Sequence, residues 1–253
     1  MKKTALLMVA IALSAASEGF TEPIRPLLCK ENRTPGLHKF EVGSQFTYKK
    51  IDEPGNLARN EGDIAPYFRF GILKNLTAYS KIPFGFIDSD IKGKHNGIKD
   101  ISAGFELMAM EQTFTCPDII PYVEITFPTG DEDKDLGQDD YSGRFGTAIA
   151  TTVNDIYHFI LDGQYNYSEH STDKSEGLFS IATAIIWNIS DQFAVLGEAK
   201  ISQKPSGNDD IPAYFNGGMC YEATKNLSIY WYGGTTVNTD EKGSANVKIA
   251  YSF

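Results

Sequence analysis

Cysteine is scarce in this chain: three occur in 253 residues, so at least one lacks a partner and no disulfide framework holds the fold. Long apolar runs are scarcer still. The longest, Ala5 to Leu13, falls far short of the roughly twenty residues a membrane-crossing helix needs. No transmembrane helix is expected. Positive charge is in deficit, with 23 Lys and Arg against 33 Asp and Glu for a net charge of −10, which argues against nucleic acid as a partner. Histidine is limited to His38, His95, His158 and His170, and no P-loop pattern is present, so neither a metal, a nucleotide nor another cofactor is expected.

The apolar run does fit a secretory signal peptide. Lys2 and Lys3 precede it, small residues follow it, and Ser14-Ala15-Ala16 offers a cleavage triplet, giving a signal segment over residues 1–17. Cys29 is too far from the run, behind Glu18, Glu22 and Arg25, to serve as a lipoprotein cysteine. Residues 18–36, with Pro23, Pro26 and Pro35, read as an irregular N-terminal arm or plug. Residues 37–253 form the body of the protein.

That body alternates at period two almost throughout. Phe40, Val42, Phe46 and Tyr48 share one face while Lys39, Glu41, Gln45 and Thr47 share the other. The same opposition sets Phe68 and Phe70 against Tyr67 and Arg69, Phe105 against Glu106, and Val123 and Ile125 against Tyr122 and Glu124. Further on, Tyr157, Phe159 and Leu161 oppose His158 and Asp162, and Val247, Ile249, Tyr251 and Phe253 oppose Lys248. The stretch Leu227 to Gly234 is ambiguous, because Tyr230 and Tyr232 compete with Ile229 and Trp231 for the apolar face. Short turns at Lys74-Asn75, Asn154-Asp155, Ser190-Asp191 and Lys225-Asn226 alternate with longer polar loops near 50–63, 88–97, 130–140, 168–177, 203–210 and 236–243.

Alternation suits a soluble lipocalin or sandwich as well as a membrane barrel. Three features favour the membrane: the signal segment, strands of roughly ten residues or more where ordinary strands have five or six, and a last strand ending in Phe253. The fold expected is all-β, a closed antiparallel transmembrane β-barrel of about 12 strands in the bacterial outer membrane, with both termini periplasmic. Val247, Ile249, Tyr251 and Phe253 then act as the signal read by the barrel assembly machinery, and their strand pairs with the one beginning near Leu37 to close the barrel. Lys248, on the lumen face, is expected to tolerate change. Trp187, Phe193, Tyr251 and Phe253 are candidates for a periplasmic aromatic girdle.

Four segments carry a family likeness: Thr34-Pro35-Gly36, Phe40-Glu41-Val42-Gly43, Gly97-Ile98-Lys99-Asp100-Ile101 and Phe127-Pro128-Thr129-Gly130-Asp131. With them the mature chain resembles the phenol-degradation (meta-pathway) transporter family of outer-membrane proteins. The resemblance implies a barrel of about twelve strands and a channel or transport role. The loop after Gly130 is more acidic than the family pattern.

On the inward face, Arg69, Lys81, Glu106, Glu124, Arg144, Asp162, Glu198 and Lys200 are the candidate pore-lining residues. The competing account makes them ion pairs that bridge strands and fill a narrow interior. Tyr67, Tyr122, Ile156, Ile160 and Tyr214 would give that interior a partly apolar character suited to small hydrophobic or aromatic solutes. The acidic run from Asp131 fails the calcium-loop pattern, since Leu136 and Ser142 occupy the positions of its glycine and terminal glutamate. A hydrolase would need a histidine with a serine and an orienting Asn or Asp, and His170-Ser171 shows no such partner at a readable spacing. The expectation is a porin-like channel for small solutes, in contact with outer-membrane lipid and lipopolysaccharide. The alternatives are a non-transporting envelope barrel and, behind it, a barrel hydrolase.

Overall fold

Period-two runs of this length make strands with one apolar and one polar face, and in lipid such strands must close on one another to pair every backbone group. The structure is a computed structural model and describes residues 29–30, 35–53, 57–168, 176–202 and 211–253. The proposed signal segment, His170 and Ser171 lie outside these. The strands are β1 (Phe40–Glu53), β2 (Leu57–Gly71), β3 (Leu76–Lys81), β4 (Phe84–Ser89), β5 (Gly93–Ile98), β6 (Ile101–Leu107) and β7 (Asp118–Phe127). They continue as β8 (Ser142–Val153), β9 (Tyr157–Ser168), β10 (Glu176–Ser190), β11 (Phe193–Ser202), β12 (Ala213–Thr224), β13 (Leu227–Val237) and β14 (Glu241–Ser252). A single 3-10 turn, Glu132–Lys134, is the one helical element among the described residues.

All pairings are antiparallel, and β1 joins both β2 and β14, so the sheet is a closed ring. β2 holds β3 along Tyr67–Gly71 and β4 along Arg59–Ile64. β3 and β4 are thus two halves of one wall strand, interrupted at Ile82-Pro83, where proline has no N–H to give the ladder. β5 and β6 share a second position in the same way, broken at Lys99-Asp100. The wall therefore has twelve strand positions. The closing seam is long, from Glu41 opposite Ser252 to Lys50 opposite Gly243.

The faces sort inside out relative to a soluble protein. Phe145 (55% exposed), Leu161 (51%) and Phe105 (50%) stand on the outside, while Glu41 (1%), Glu106 (1%) and Asp162 (0%) are buried within. So large an apolar exterior would be an aggregation surface in water and is a lipid belt in a membrane. The ambiguous stretch resolves with Tyr230 and Tyr232 inward and buried and Trp231 outward. At the short-turn end Tyr157 stacks near Trp187, and Phe253 stacks on Phe40 with ring centroids 4.4 Å apart, while its N–H donates to the Phe40 carbonyl.

Turn chemistry fixes that end. Asn154 and Asp155 both have positive φ (54° and 56°), the two-residue hairpin geometry that Asn and Asp tolerate best. Ile156 belongs to this turn and is exposed, so it does not line the interior as expected. The expected long loops at 50–63, 88–97 and 236–243 are also mostly strand. β1, β2, β4, β5, β13 and β14 continue through them, because polar residues on both faces do not stop a ladder beyond the lipid.

β7 ends and β8 begins low on the wall, paired at Thr126 and Ser142. Among the described residues β5 has a strand partner, β4, on one side only. Residues 128–141 fold inward beside it. Leu136 (1% exposed) packs against the inward faces of Gly85 and Gly97, where a β-carbon would come within 3.2 Å and 2.9 Å of its methyl groups. Asp100 accepts from the N–H groups of Gly130 and Gln138, and Thr129 Oγ1 accepts from Ile101 N–H. The third and fourth likeness segments thus meet as the joint that holds this loop in the barrel mouth.

Candidate functional site

All eight sequence candidates have their side chains on the lumen side, but they fall into two storeys. Strand parity puts them inside; strand height separates them.

The periplasmic half is packed. Ile120, Ala148, Ile160, Ala182, Ile186, Leu196, Cys220 and Tyr230 form a buried apolar cluster lining the inside of β7 to β13, and Cys29 belongs to it. Opposite it sits a buried charge group. Arg69 pairs with Glu106 and, at 3.4 Å, with Glu41, while Lys30 Nζ lies 2.8 Å from the second oxygen of Glu106. Lys30 also stands over the Tyr79 ring, 3.6 Å from its centroid, and its backbone N–H donates to Asp162 at 2.6 Å. Asp162 further accepts from Tyr122 OH at 3.0 Å and Gln164 Nε2 at 2.8 Å. The arm at Cys29-Lys30 therefore crosses the lumen from the β3–β6 wall to β9. Cys29, Cys116 and Cys220 form no disulfide among the described residues.

The outer half is open. A cavity of about 690 Å³ reaches the barrel mouth, lined on its charged side by Lys49, Lys81, Lys99, Lys200, Glu61, Asp63 and Glu241. Lys49 pairs with Glu241 at 2.8 Å and Arg59 with Glu61 at 2.5 Å. Lys200 donates to Gln164 Oε1 at 3.3 Å. Between the storeys Arg144 bridges to Glu124 at 2.7 Å, and Glu198 accepts from Asn216 at 3.5 Å. Of the sequence candidates, Arg69, Glu106 and Asp162 thus serve the packed storey, and Lys81 and Lys200 the open one.

Sequence reasoning missed Lys30, Glu41, Tyr79, Lys49 and Lys99 as members of this site. Lys30 lies in an arm with no period, where parity is silent. Lys99 sits at a strand break that resets parity. Glu41 and Lys49 were readable on the inward face of β1, as was Tyr79 on β3. Lys248 lies on the lumen side as expected, its ammonium 5.1 Å from the Tyr67 ring and 5.5 Å from the Tyr230 ring.

His158 is buried, with Thr152 Oγ1 at 2.8 Å from Nδ1 and Asn188 Nδ2 at 2.9 Å from Nε2. The Asn188 amide nitrogen also donates to the Asp155 carbonyl, which fixes its orientation. Nε2 is then an acceptor and Nδ1 carries the proton, so the ring donates to Thr152 rather than accepting its proton. That is the reverse of a nucleophile–base pair. In the acidic loop, Asp135 is held by Arg59 at 2.9 Å and Lys92 at 2.7 Å, and no group of three or more metal-ligating side chains occurs among the described residues.

A family model described as "Putative MetA-pathway of phenol degradation" matches residues 42–250. No curated protein matches the chain. The fold superposes on the COG4313 outer membrane channel from Pseudomonas putida F1 with a TM-score of 0.72 at 12% identity, over 94% of this chain and 100% of that one. It also matches the NanC porin (TM-score 0.58, 9% identity, 84% of this chain and 98% of that one). The translocator domain of the autotransporter NalP from Neisseria meningitidis follows (TM-score 0.56, 12% identity, 100% of this chain and 95% of that one). At such identities the likeness is one of fold.

Proposed function

The chain belongs to the family described as "Putative MetA-pathway of phenol degradation" and is a bacterial outer-membrane β-barrel, and from that premise we propose that it is a passive channel for small solutes with an apolar or aromatic body. One observation carries the reading: a cavity of about 690 Å³ opens at the mouth, and deeper in the lumen the arm at Lys30 crosses on contacts with the Glu106 and Asp162 side chains rather than by strand pairing. A solute entering from outside meets polar walls first, then Tyr122 and Tyr79 beside Lys30, then the apolar cluster. Release of Lys30 from Glu106 and Asp162 is the step that connects the two. The reading includes no chemical step: His158 serves as a hydrogen-bonded strut.

Conductance of purified barrel in planar bilayers tests this. Steady single-channel steps, altered in Arg144→Ala and Glu124→Ala and enlarged in Lys30→Ala, are expected. A barrel silent in all four forms would sink the channel and leave an envelope-structural role. We further read Val247, Ile249, Tyr251 and Phe253 as the face offered to the assembly machinery, a role that predicts a reduced yield of folded barrel when Phe253 is removed while the lumen residues are intact. Contact of the apolar belt with lipid and of the outer loops with lipopolysaccharide belongs to the same reading.

A further inference from the structure

We propose that the outer vestibule is an anion site, and that the solutes it admits are small organic acids carrying one carboxylate on an apolar or aromatic body. This rests on the channel reading and narrows its substrate class. The basis is a local excess of positive charge in a protein whose net charge is −10. Of the three carboxylates lining the cavity, Glu241 is matched by Lys49 and Glu61 by Arg59. Asp63 is the third. Against it stand Lys81, Lys99 and Lys200, from three separate places in the wall. Among the described residues neither Lys81 nor Lys99 has a carboxylate within 4.0 Å, and the hydrogen bond of Lys200 goes to an uncharged amide. All three are half-buried, so water screens them less than it would a surface lysine.

Deeper in, Arg144 spends one guanidinium nitrogen on Glu124, while its Nε is buried without a hydrogen-bond partner. A carboxylate descending from the vestibule would supply that acceptor. Lysines spread around a cavity, rather than forks converging on one point, suit a mobile single charge better than a fixed phosphate. Tyr214, Leu178 and Pro212 line the same cavity and give the rest of such a solute an apolar surface. Opposing charge exists at the mouth in the acidic loop. Asp135 there is neutralised by Arg59 and Lys92 and Asp131 by Lys134, and the remaining acids do not line the cavity.

The test uses the whole barrel in planar bilayers under a potassium chloride gradient. The reversal potential should show preference for chloride. Benzoate should block chloride current at concentrations at least about tenfold below those at which benzyl alcohol does, since the two share a ring and differ in charge. In the Lys81→Glu, Lys99→Glu double variant the selectivity should turn toward potassium and the benzoate block should disappear. The milder Lys81→Gln, Lys99→Gln pair should lose the block and keep the fold, as judged by heat-modified mobility on a gel. A cation-selective parent, or equal block by benzyl alcohol, would overturn the anion site and leave the channel standing. Should the barrel be silent, calorimetric titration with benzoate decides separately. Binding lost in the double variants would keep the site without the channel, and no binding would remove both.

Discussion

The two storeys of the lumen are built from the same strands, yet they solve opposite problems. In the periplasmic half, the buried carboxylates of the lumen have partners: Glu41 and Glu106 face Arg69, and Asp162 takes Tyr122, Gln164 and the Lys30 backbone. In the outer half, Lys81, Lys99 and Lys200 stand half-buried around open space with no ion pair among the described residues. Desolvation explains the division. A charge removed from water costs several kcal/mol and must be matched, whereas a charge beside a water-filled cavity keeps enough solvation to remain unmatched. Unmatched charge in the vestibule is thus available to a solute; matched charge below is part of the fold.

Removing Arg69 should break that contrast most severely. Arg69→Ala leaves Glu41 and Glu106, both 1% exposed, with Lys30 as the cation that the described residues still place against Glu106. A loss of about 3–5 kcal/mol is expected, the usual consequence of orphaning a buried charge. Lys81→Ala, one storey up, should cost far less, about 1 kcal/mol at most, because it orphans no buried carboxylate. Urea unfolding followed by tryptophan fluorescence compares the two. Equal effects would mean that the storeys do not differ in solvation as described.

The contrast was only half legible in the sequence. Period two gave the inside and outside of nearly every strand, because a one-residue slip would put Phe68 or Arg69 on the wrong side of the wall. It gave the closing partner of the last strand as well. Height is another matter. Nothing in the spacing of Arg69 and Lys81 says that one lies below the other, since that depends on strand tilt and on breaks such as Ile82-Pro83 and Lys99-Asp100. Lys30 was invisible for a different reason: an arm without period has no face to read. The Gly97 to Ile101 and Phe127 to Asp131 segments were recognisable as a likeness, yet their role emerges only when Asp100 is seen capping Gly130 and Gln138.

The mouth loop offers a finer division, because it belongs to the vestibule but is fastened as the lower storey is. Leu136→Ala should cost the docking of residues 128–141 about 2–3 kcal/mol, at the low end for a buried leucine because the loop can resettle. Global stability should change far less, since no strand pairing depends on this side chain. Hydrogen exchange is the suitable measure: faster exchange confined to the loop and to β5 is expected, and faster exchange across the whole barrel would contradict a locally fastened loop.

The smallest effect expected is one of pH on the same loop. Partial burial of Asp135 works against its charge, but the Lys92 ammonium and the Arg59 guanidinium outweigh it and hold the carboxyl below the usual carboxylate range. Asp131 is lowered too, by its hydrogen bond with Lys134. A depressed carboxyl stabilises the docked loop above the unfolded value, roughly pH 4, and that contribution fades as pH falls through the lowered one. Glu132 acts in the other direction. Its hydrogen bond with Asp139 raises it above the ordinary glutamate value, so its contribution is present in acid and is lost as pH rises through the raised value. Asp135→Asn should remove one of the acid-labile contributions. Loop protection against exchange, corrected for intrinsic rates, should fall in the parent as pH is lowered from about 5 to about 3, and should fall less in the variant. Parallel curves for the two proteins would show that Asp135 does not fasten the loop through its charge.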